Sequence, residues 1–263
     1  MSWPVDAWRL AVGTLTAVPV RPPGTVDRRT AGLAMLLAPL AVLPLGVVVG
    51  LVATLGDRFA TPPLVVGLLG VGVLVLGTRA LHVDGLSDTA DGLTASYDRD
   101  RSLAVMHTGT SGPAGGVAVF LVLGLQAVGI GSLSLVPHGP VLTGVLVCVS
   151  RCALVLTCVR GVPAARVDGL GRTYAGSVRP VAALGTWALA AAVTALAASG
   201  AGATVTRGLV AVLLALLVVA LLVRRCVTRL GGVTGDVFGA AVEVALAVLL
   251  VVMAGSITTY LAG

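Results

Sequence analysis

An all-α, polytopic integral membrane protein of about seven transmembrane helices in a single domain, residues 1–263, follows from three observations. The chain is 57% hydrophobic and only 11% charged, with a mean hydropathy of +1.06, which is outside the range of a soluble domain. Its apolar residues form continuous runs rather than alternating with polar ones, so helices, which satisfy their own backbone in lipid, are expected in place of a barrel. Its arginines gather in alternate connections, as membrane topology requires.

Taken in order, residues 5–17 read as a nonspanning helix, with Trp3 and Trp8 at the interface. Runs long enough to cross a hydrocarbon core then fall at about 31–55, 62–81, 115–136, 140–159, 181–203, 208–223 and 240–262. The sixth is short and is expected to extend through its flanking arginines. No signal peptide is expected, because Met1 to Val20 contains Asp6, Arg9 and two prolines, with no apolar core followed by a cleavage site. No repeat of 20–50 residues is apparent.

Arg9, Arg21, Arg28 and Arg29 precede the first run, and Arg79, Arg99 and Arg101 lie in or beside the connection 82–114. Arg160, Arg166, Arg172 and Arg179 occupy 160–180, and Arg224, Arg225 and Arg229 occupy 224–239. The other connections carry only Arg58, beside Asp57, and Arg207. The positive-inside rule therefore predicts a cytoplasmic N-terminus, a C-terminus outside and every polar, glycine-rich connection on the cytoplasmic side; the expected location is the cell (inner) membrane. All basic side chains are arginine. Codon bias explains this most simply, although arginine forks also suit diphosphates. Cys148, Cys152, Cys158 and Cys226 lie in or beside apolar runs without a completing zinc set, and read as small buried hydrophobes.

Chemistry concentrates between the second and third runs, in His82-Val83-Asp84-Gly85-Leu86-Ser87-Asp88-Thr89-Ala90-Asp91-Gly92. On a helix, Asp84, Asp88 and Asp91 share one face, Leu86, Ala90 and Leu93 the opposite one, and Gly85, Thr89 and Gly92 a flank of small residues. Like charges one turn apart repel, more so beside a membrane, so a cation among them is expected. Hard oxygen ligands suit Mg²⁺, and the spacing does not fit an EF-hand. A solvated, polar exit from the second run is the plainer alternative.

A second acidic face lies at the start of the last run, where Asp236 and the chain's only glutamate, Glu243, are seven residues apart. An ionisable residue as deep in an apolar helix as Glu243 is a functional candidate. Asp236 reads equally as an N-cap. The glycines of 109–116, among them Gly112 and Gly115, could offer backbone N–H groups to phosphate, although an ordinary loop explains them as well. His107 reads as a loop histidine rather than a substrate contact. Arg151, inside an apolar run, needs an anionic partner, and Asp168-Gly169-Leu170-Gly171-Arg172 is a further polar element.

The motif from His82 to Gly92 closely resembles the signature of the cobalamin synthase family, the adenosylcobinamide-GDP ribazoletransferases. Thr234-Gly235-Asp236 through Gly239-Ala240-Ala241-Val242-Glu243 is similar to that family's C-terminal motif. Weaker likenesses are Leu15 to Val20, Pro39-Leu40, Gly112-Pro113-Ala114-Gly115, Ser150-Arg151 and Asp168 to Gly171, so the resemblance runs through the chain in order. Ala104, Thr108 and Thr110 depart from it, standing where the family often has carboxylates, and Ala17 stands where it commonly has arginine.

The resemblance implies a transferase of a late step of cobalamin biosynthesis, in which α-ribazole or its 5′-phosphate displaces GMP from adenosylcobinamide-GDP. It implies Asp84, Asp88, Asp91 and Asp236 as ligands of Mg²⁺, with Asp236 and Glu243 as further ligands or a base. Arg151 and Arg172, with Gly112 and Gly115, are the candidates for holding the diphosphate. The expected partners are those substrates and the lipid bilayer; no nucleic acid is expected, and self-association or docking of other cobamide-assembly enzymes stays open. Two rivals are a Mg²⁺-dependent phosphotransferase of the CDP-alcohol type and a cation-coupled transporter. Ser87-Asp88 replaces the Ala-Arg that the former needs, and the latter would place its acids nearer the midplane.

Overall fold

The computed structural model describes residues 3–107 and 109–255, and the described chain is a helical bundle without extended sheet. Thr108 and residues 256–262 of the expected last run lie outside the described residues. Helix α1 (Trp3–Leu15) is followed by α2 (Arg28–Ala41) and α3 (Leu43–Arg58), which together make one 31-residue apolar span. The span is interrupted at Val42, because Pro44 has no N–H to donate back to the preceding turn. Helix α4 (Pro63–Gly77) leads into α5 (Leu81–Ala95) and the short α6 (Arg99–Val105).

Four more elements long and apolar enough to cross a membrane follow, and then the last: α7 (Pro113–Ser134), α8 (Gly139–Ser150) continued by α9 (Cys152–Thr157), α11 (Pro180–Gly200), α12 (Val205–Leu230) and α13 (Gly235–Ala254). The short α10 (Gly169–Tyr174) lies in the connection between α9 and α11. The described structure thus has six such spans, or seven if α4 and α5 are counted as one. The sixth expected run does extend through its arginines, to Leu230, where Gly231 closes the helix in the left-handed conformation at φ 76°.

The second expected run departs from a simple crossing. Helix α4 has only 15 residues, and α5 leaves it at 92°. The turn is made by two consecutive non-glycine residues in the left-handed region, Arg79 (φ 56°) and Ala80 (φ 58°), at roughly 1–2 kcal/mol each. Among the hydrogen bonds that hold it are Ala80 N to Val75 O (2.7 Å), Ala17 N to Gly77 O (2.6 Å) and Arg79 Nη2 to Gly13 O (2.7 Å). The last two come from or end on α1 and its continuation, so the N-terminal helix braces the turn that points α5 away from α4.

Two buried apolar clusters fill the bundle. One joins α1, α2, α9, the second half of α12 and the first half of α13, and the other joins α3, α4, α7, α8, α11, the first half of α12 and the second half of α13. Helix α13, which serves both, is also the one packed most extensively on α5. That packing requires close backbone approach. A Cβ placed on Gly85 would lie 2.6 Å from the carbonyl oxygen of Asp236, and one on Gly239 would lie 2.9 Å from the Cα of His82. Both are shorter than any methyl group tolerates, so neither position can accept a side chain without separating the helices. Gly85→Ala is expected to lower stability by about 1–3 kcal/mol through this overpacking, read as a lower melting temperature in detergent. Gly72→Ala, which meets nothing within 4 Å, is the control; equal melting of the two variants would refute the seam.

Candidate functional site

Helix α5 buries its small-residue flank, Gly85, Thr89 and Gly92; Gly85 lets α13 come close, and Gly92 packs against Ser102 and Met106 at α6. The acidic row is left graded across the boundary: Asp84 exposed, Asp88 half-buried and Asp91 buried. Asp236 is brought to this row by the contact of its backbone with Gly85. The negative charges of Asp84, Asp236 and Asp91 all act on Asp88. Together with burial, the largest cause, they push the Asp88 carboxyl up to about 6. Asp84, Asp88 and Asp236 are therefore one acidic set built from two helices far apart in sequence.

The structure settles what caps α13. Thr234 occupies the N-cap and accepts from Val237 N, while its hydroxyl donates to Asp236 Oδ2 at 3.1 Å. Asp236 is one residue inside the helix, free of the capping duty, in the first turn where the helix dipole favours an anion. His107 is an electrostatic neighbour of Asp236.

Asp91 has a different occupation. Gly112 N donates to its Oδ2 at 2.6 Å and Gly115 N to its Oδ1 at 2.8 Å. The glycines expected to receive phosphate thus do offer their N–H groups to an anion at a helix start, but that anion is the chain's own carboxylate. Gly115 must be glycine because a Cβ there would collide with Asp91 and Ser87. The hydroxyls of Ser87 and Ser111 meet at 2.8 Å beside this junction. Asp91 therefore moors the loop before α7 to α5.

Glu243 and Arg151 lie together away from the acidic set. Glu243 is 4% exposed and Arg151 is fully buried, so the site opening does not include them as the structure stands. Arg172 is exposed on α10, with Nη1 donating to Val167 O at 2.6 Å. Its helix sits against the beginning of α13, where Gly171 meets Val233 and Thr234. An open pocket of about 580 Å³ adjoins this region, lined by Arg99, Asp100, Leu103, Ala104 and residues 164–168. Ala104, where the sequence pattern loses an acid, is on its wall. A second cleft of about 600 Å³, between α2, α3, α8 and α11, is apolar and contains none of the acids.

Three contributors escaped the sequence reading. Arg99 reaches Leu230 O (2.9 Å) and Ala165 O (2.5 Å) and Arg229 reaches Ser96 O, together tying α6, the 160–179 connection and the end of α12 into one surface. Gln126, the third, is the only glutamine in the chain. Its place in the middle of an apolar run was a usable signal.

Among the described residues no three His, Cys, Asp or Glu side chains converge on one metal position. The arrangement is not an all-protein cage. Mg²⁺ does not require one, since one or two carboxylates with substrate phosphates commonly hold it, and Asp84 and Asp88, one turn apart on α5, are a pair that could serve in that mode.

Fold and site define a polytopic α-helical membrane protein with a carboxylate-lined site at one end of its bundle. The family described as cobalamin-5-phosphate synthase matches residues 7–254. A Nocardioides protein named adenosylcobinamide-GDP ribazoletransferase is 55% identical over 250 residues, 95% of this chain and 98% of its own length. Proteins of that name from Frankia casuarinae and Pseudomonas aeruginosa are 39% and 35% identical, over 95% and 93% of this chain and 95% and 96% of theirs. No solved structure matches. The chain belongs to the cobalamin-5-phosphate synthase family.

Asp91→Asn keeps one acceptor oxygen for two backbone donors and is expected to cost about 1–3 kcal/mol. Its melting temperature in detergent should fall clearly below that of Asp84→Asn, whose exposed carboxylate holds no backbone. Matching melts would remove the mooring role.

Proposed function

We propose that this protein transfers the adenosylcobinamide phosphate group from adenosylcobinamide-GDP to α-ribazole or its 5′-phosphate, releasing GMP. The single observation that carries the reading is the meeting of Asp84 and Asp88 with Asp236 across the α5–α13 seam, in a chain whose relatives bear the name of that activity over nearly their whole lengths.

Asp84 and Asp88, one turn apart, would hold Mg²⁺ jointly with the diphosphate. Bound there, the ion neutralises phosphate charge and stabilises the departing GMP oxygen. The ribose hydroxyl forms a new bond to the phosphorus next to cobinamide as the bond from that phosphorus to the GMP oxygen breaks. Asp236, oriented by the Thr234 hydroxyl, accepts the proton of the attacking hydroxyl. Arg172, on the exposed face of α10 beside the α13 start, is the arginine placed to meet a nucleotide phosphate. Asp91 keeps the loop before α7 in place, and Gly112 and Gly115 serve that mooring. We infer further that this end faces the cytoplasm, on the strength of the arginine-rich connections gathered there.

Purified protein in detergent with adenosylcobinamide-GDP, α-ribazole and Mg²⁺ should release GMP and form a cobamide. Asp88→Asn should reduce turnover by at least ~100-fold while melting normally. No GMP from the wild type, together with cation accumulation in proteoliposomes, would favour the transporter and overturn this reading.

A pH dependence follows. Asp88 gains its proton below about 6, and the neutral acid is a poor cation ligand. Activity at limiting Mg²⁺ should therefore fall as pH drops through about 6 and be flat above it. Raising Mg²⁺, which competes with the proton, should move the midpoint down. Asp236→Asn, assayed by Mg²⁺ binding rather than turnover, should move it down too, because one of the negative neighbours is gone. A midpoint indifferent to both would detach Asp88 from the cation.

A further inference from the structure

Beneath the acidic set, His82 of α5, Gln126 of α7 and Glu243 of α13 come together in the apolar interior, and Arg151, at the α8–α9 break, lies within electrostatic reach of Glu243 and His82 without a direct ion pair to either. None is more than 5% exposed. Gln126 Nε2 donates to Glu243 Oε2 at 2.7 Å and to the Glu243 carbonyl at 3.1 Å. Glu243 Oε1 lies 3.7 Å from His82 Nδ1, close but beyond a hydrogen bond. Arg151 Nη1 donates to Val147 O (3.0 Å) and Ser150 Oγ (2.8 Å). Its Nε and Nη2, with His82 Nδ1 and Gln126 Oε1, are buried without a hydrogen-bond partner.

A buried guanidinium with two unmatched nitrogens needs compensation, and Glu243 is the anion that supplies it. Gaps slightly wider than a hydrogen bond, lined by several unmatched donors and acceptors, are where bridging water is found in proteins. His82 occupies the critical place in this arrangement. Its backbone is the surface against which Gly239 packs, so what fixes His82 fixes the spacing of α5 from α13, and with it Asp84 and Asp88 from Asp236.

We propose that Arg151 and Glu243, linked through His82 and Gln126, form a water-bridged positioning network that sets the α5–α13 seam. Neither residue touches substrate. The proposal rests on the reading that the acidic set above it is the reaction site. The roles expected of Arg151 as a diphosphate contact and Glu243 as ligand or base are replaced by this one.

The test is a cycle of Arg151→Met, Glu243→Gln and the double variant, assayed for GMP release and for melting in detergent with and without Mg²⁺. Each single variant leaves one buried charge unpaired. Turnover should fall roughly 10–100-fold, with KM for adenosylcobinamide-GDP within about threefold of wild type and the Mg²⁺ needed for half-maximal rate increased. The double variant removes both charges and should recover at least tenfold over the worse single, with non-additive melting temperatures. Arg151→Lys, which keeps the charge, should lose less than Arg151→Met. A large rise in KM at unchanged kcat for Arg151→Met would make Arg151 a substrate contact and overturn the proposal, as would strictly additive losses in the double variant. If the wild type releases no GMP, the reaction reading fails by itself, and non-additive melting still decides whether the pair exists.

Discussion

The close approach of α5 to α13 is the constraint on which the rest of this protein depends. Carboxylates on neighbouring helices repel, and at the edge of an apolar bundle little solvent screens them. Holding Asp84 and Asp88 against Asp236 therefore needs a strong opposing attraction. It comes from dispersion and apolar burial along a seam in which Gly85 and Gly239 let backbone touch backbone. Around that seam the long apolar body of α13 is buried on nearly all sides, which makes it the fixed member and α5 the one laid upon it.

The remaining elements act chiefly to keep α5 where it is. The left-handed turn at Arg79 and Ala80 directs it away from α4, braced by the end of α1. Asp91 anchors its far half to the start of α7, using the unsatisfied N–H groups of that helix as the partner for a buried carboxylate. Arg99 and Arg229 close the same end of the bundle by reaching carbonyl groups across the chain. The arginines that mark topology in the sequence are thus also structural ties.

Much of the fold was legible in the residues. Continuous apolar runs can only be helices in lipid, so the spans and their order could be read directly, including the extension of the sixth run through Arg224, Arg225 and Arg229. The acidic row on α5 was legible from its spacing, and Asp236 from its place before an apolar helix. Less legible was the division of labour among these acids. Asp91 has the same spacing as its neighbours, and only the arrival of the start of α7 shows that its carboxylate also accepts from two backbone N–H groups there. Equally, Asp236 and Thr234 compete for the same cap in the sequence, and the backbone geometry gives the cap to threonine.

The sequence by itself determined that this is a helical membrane protein, how its runs are ordered, which of its few acids share a helix face, and which family motifs it carries. These are consequences of local periodicity and composition, which need no partner to be read. The tertiary structure alone decided the 92° turn into α5, the capture of Gly112 and Gly115 by Asp91, and the separation of Glu243 from Asp236 into a deeper polar layer with Arg151, His82 and Gln126. Two residues seven apart on one helix face lie about 10 Å apart along its axis. Whether they serve one site or two depends on what neighbouring helices bring to each level, and periodicity along a single helix carries no record of that.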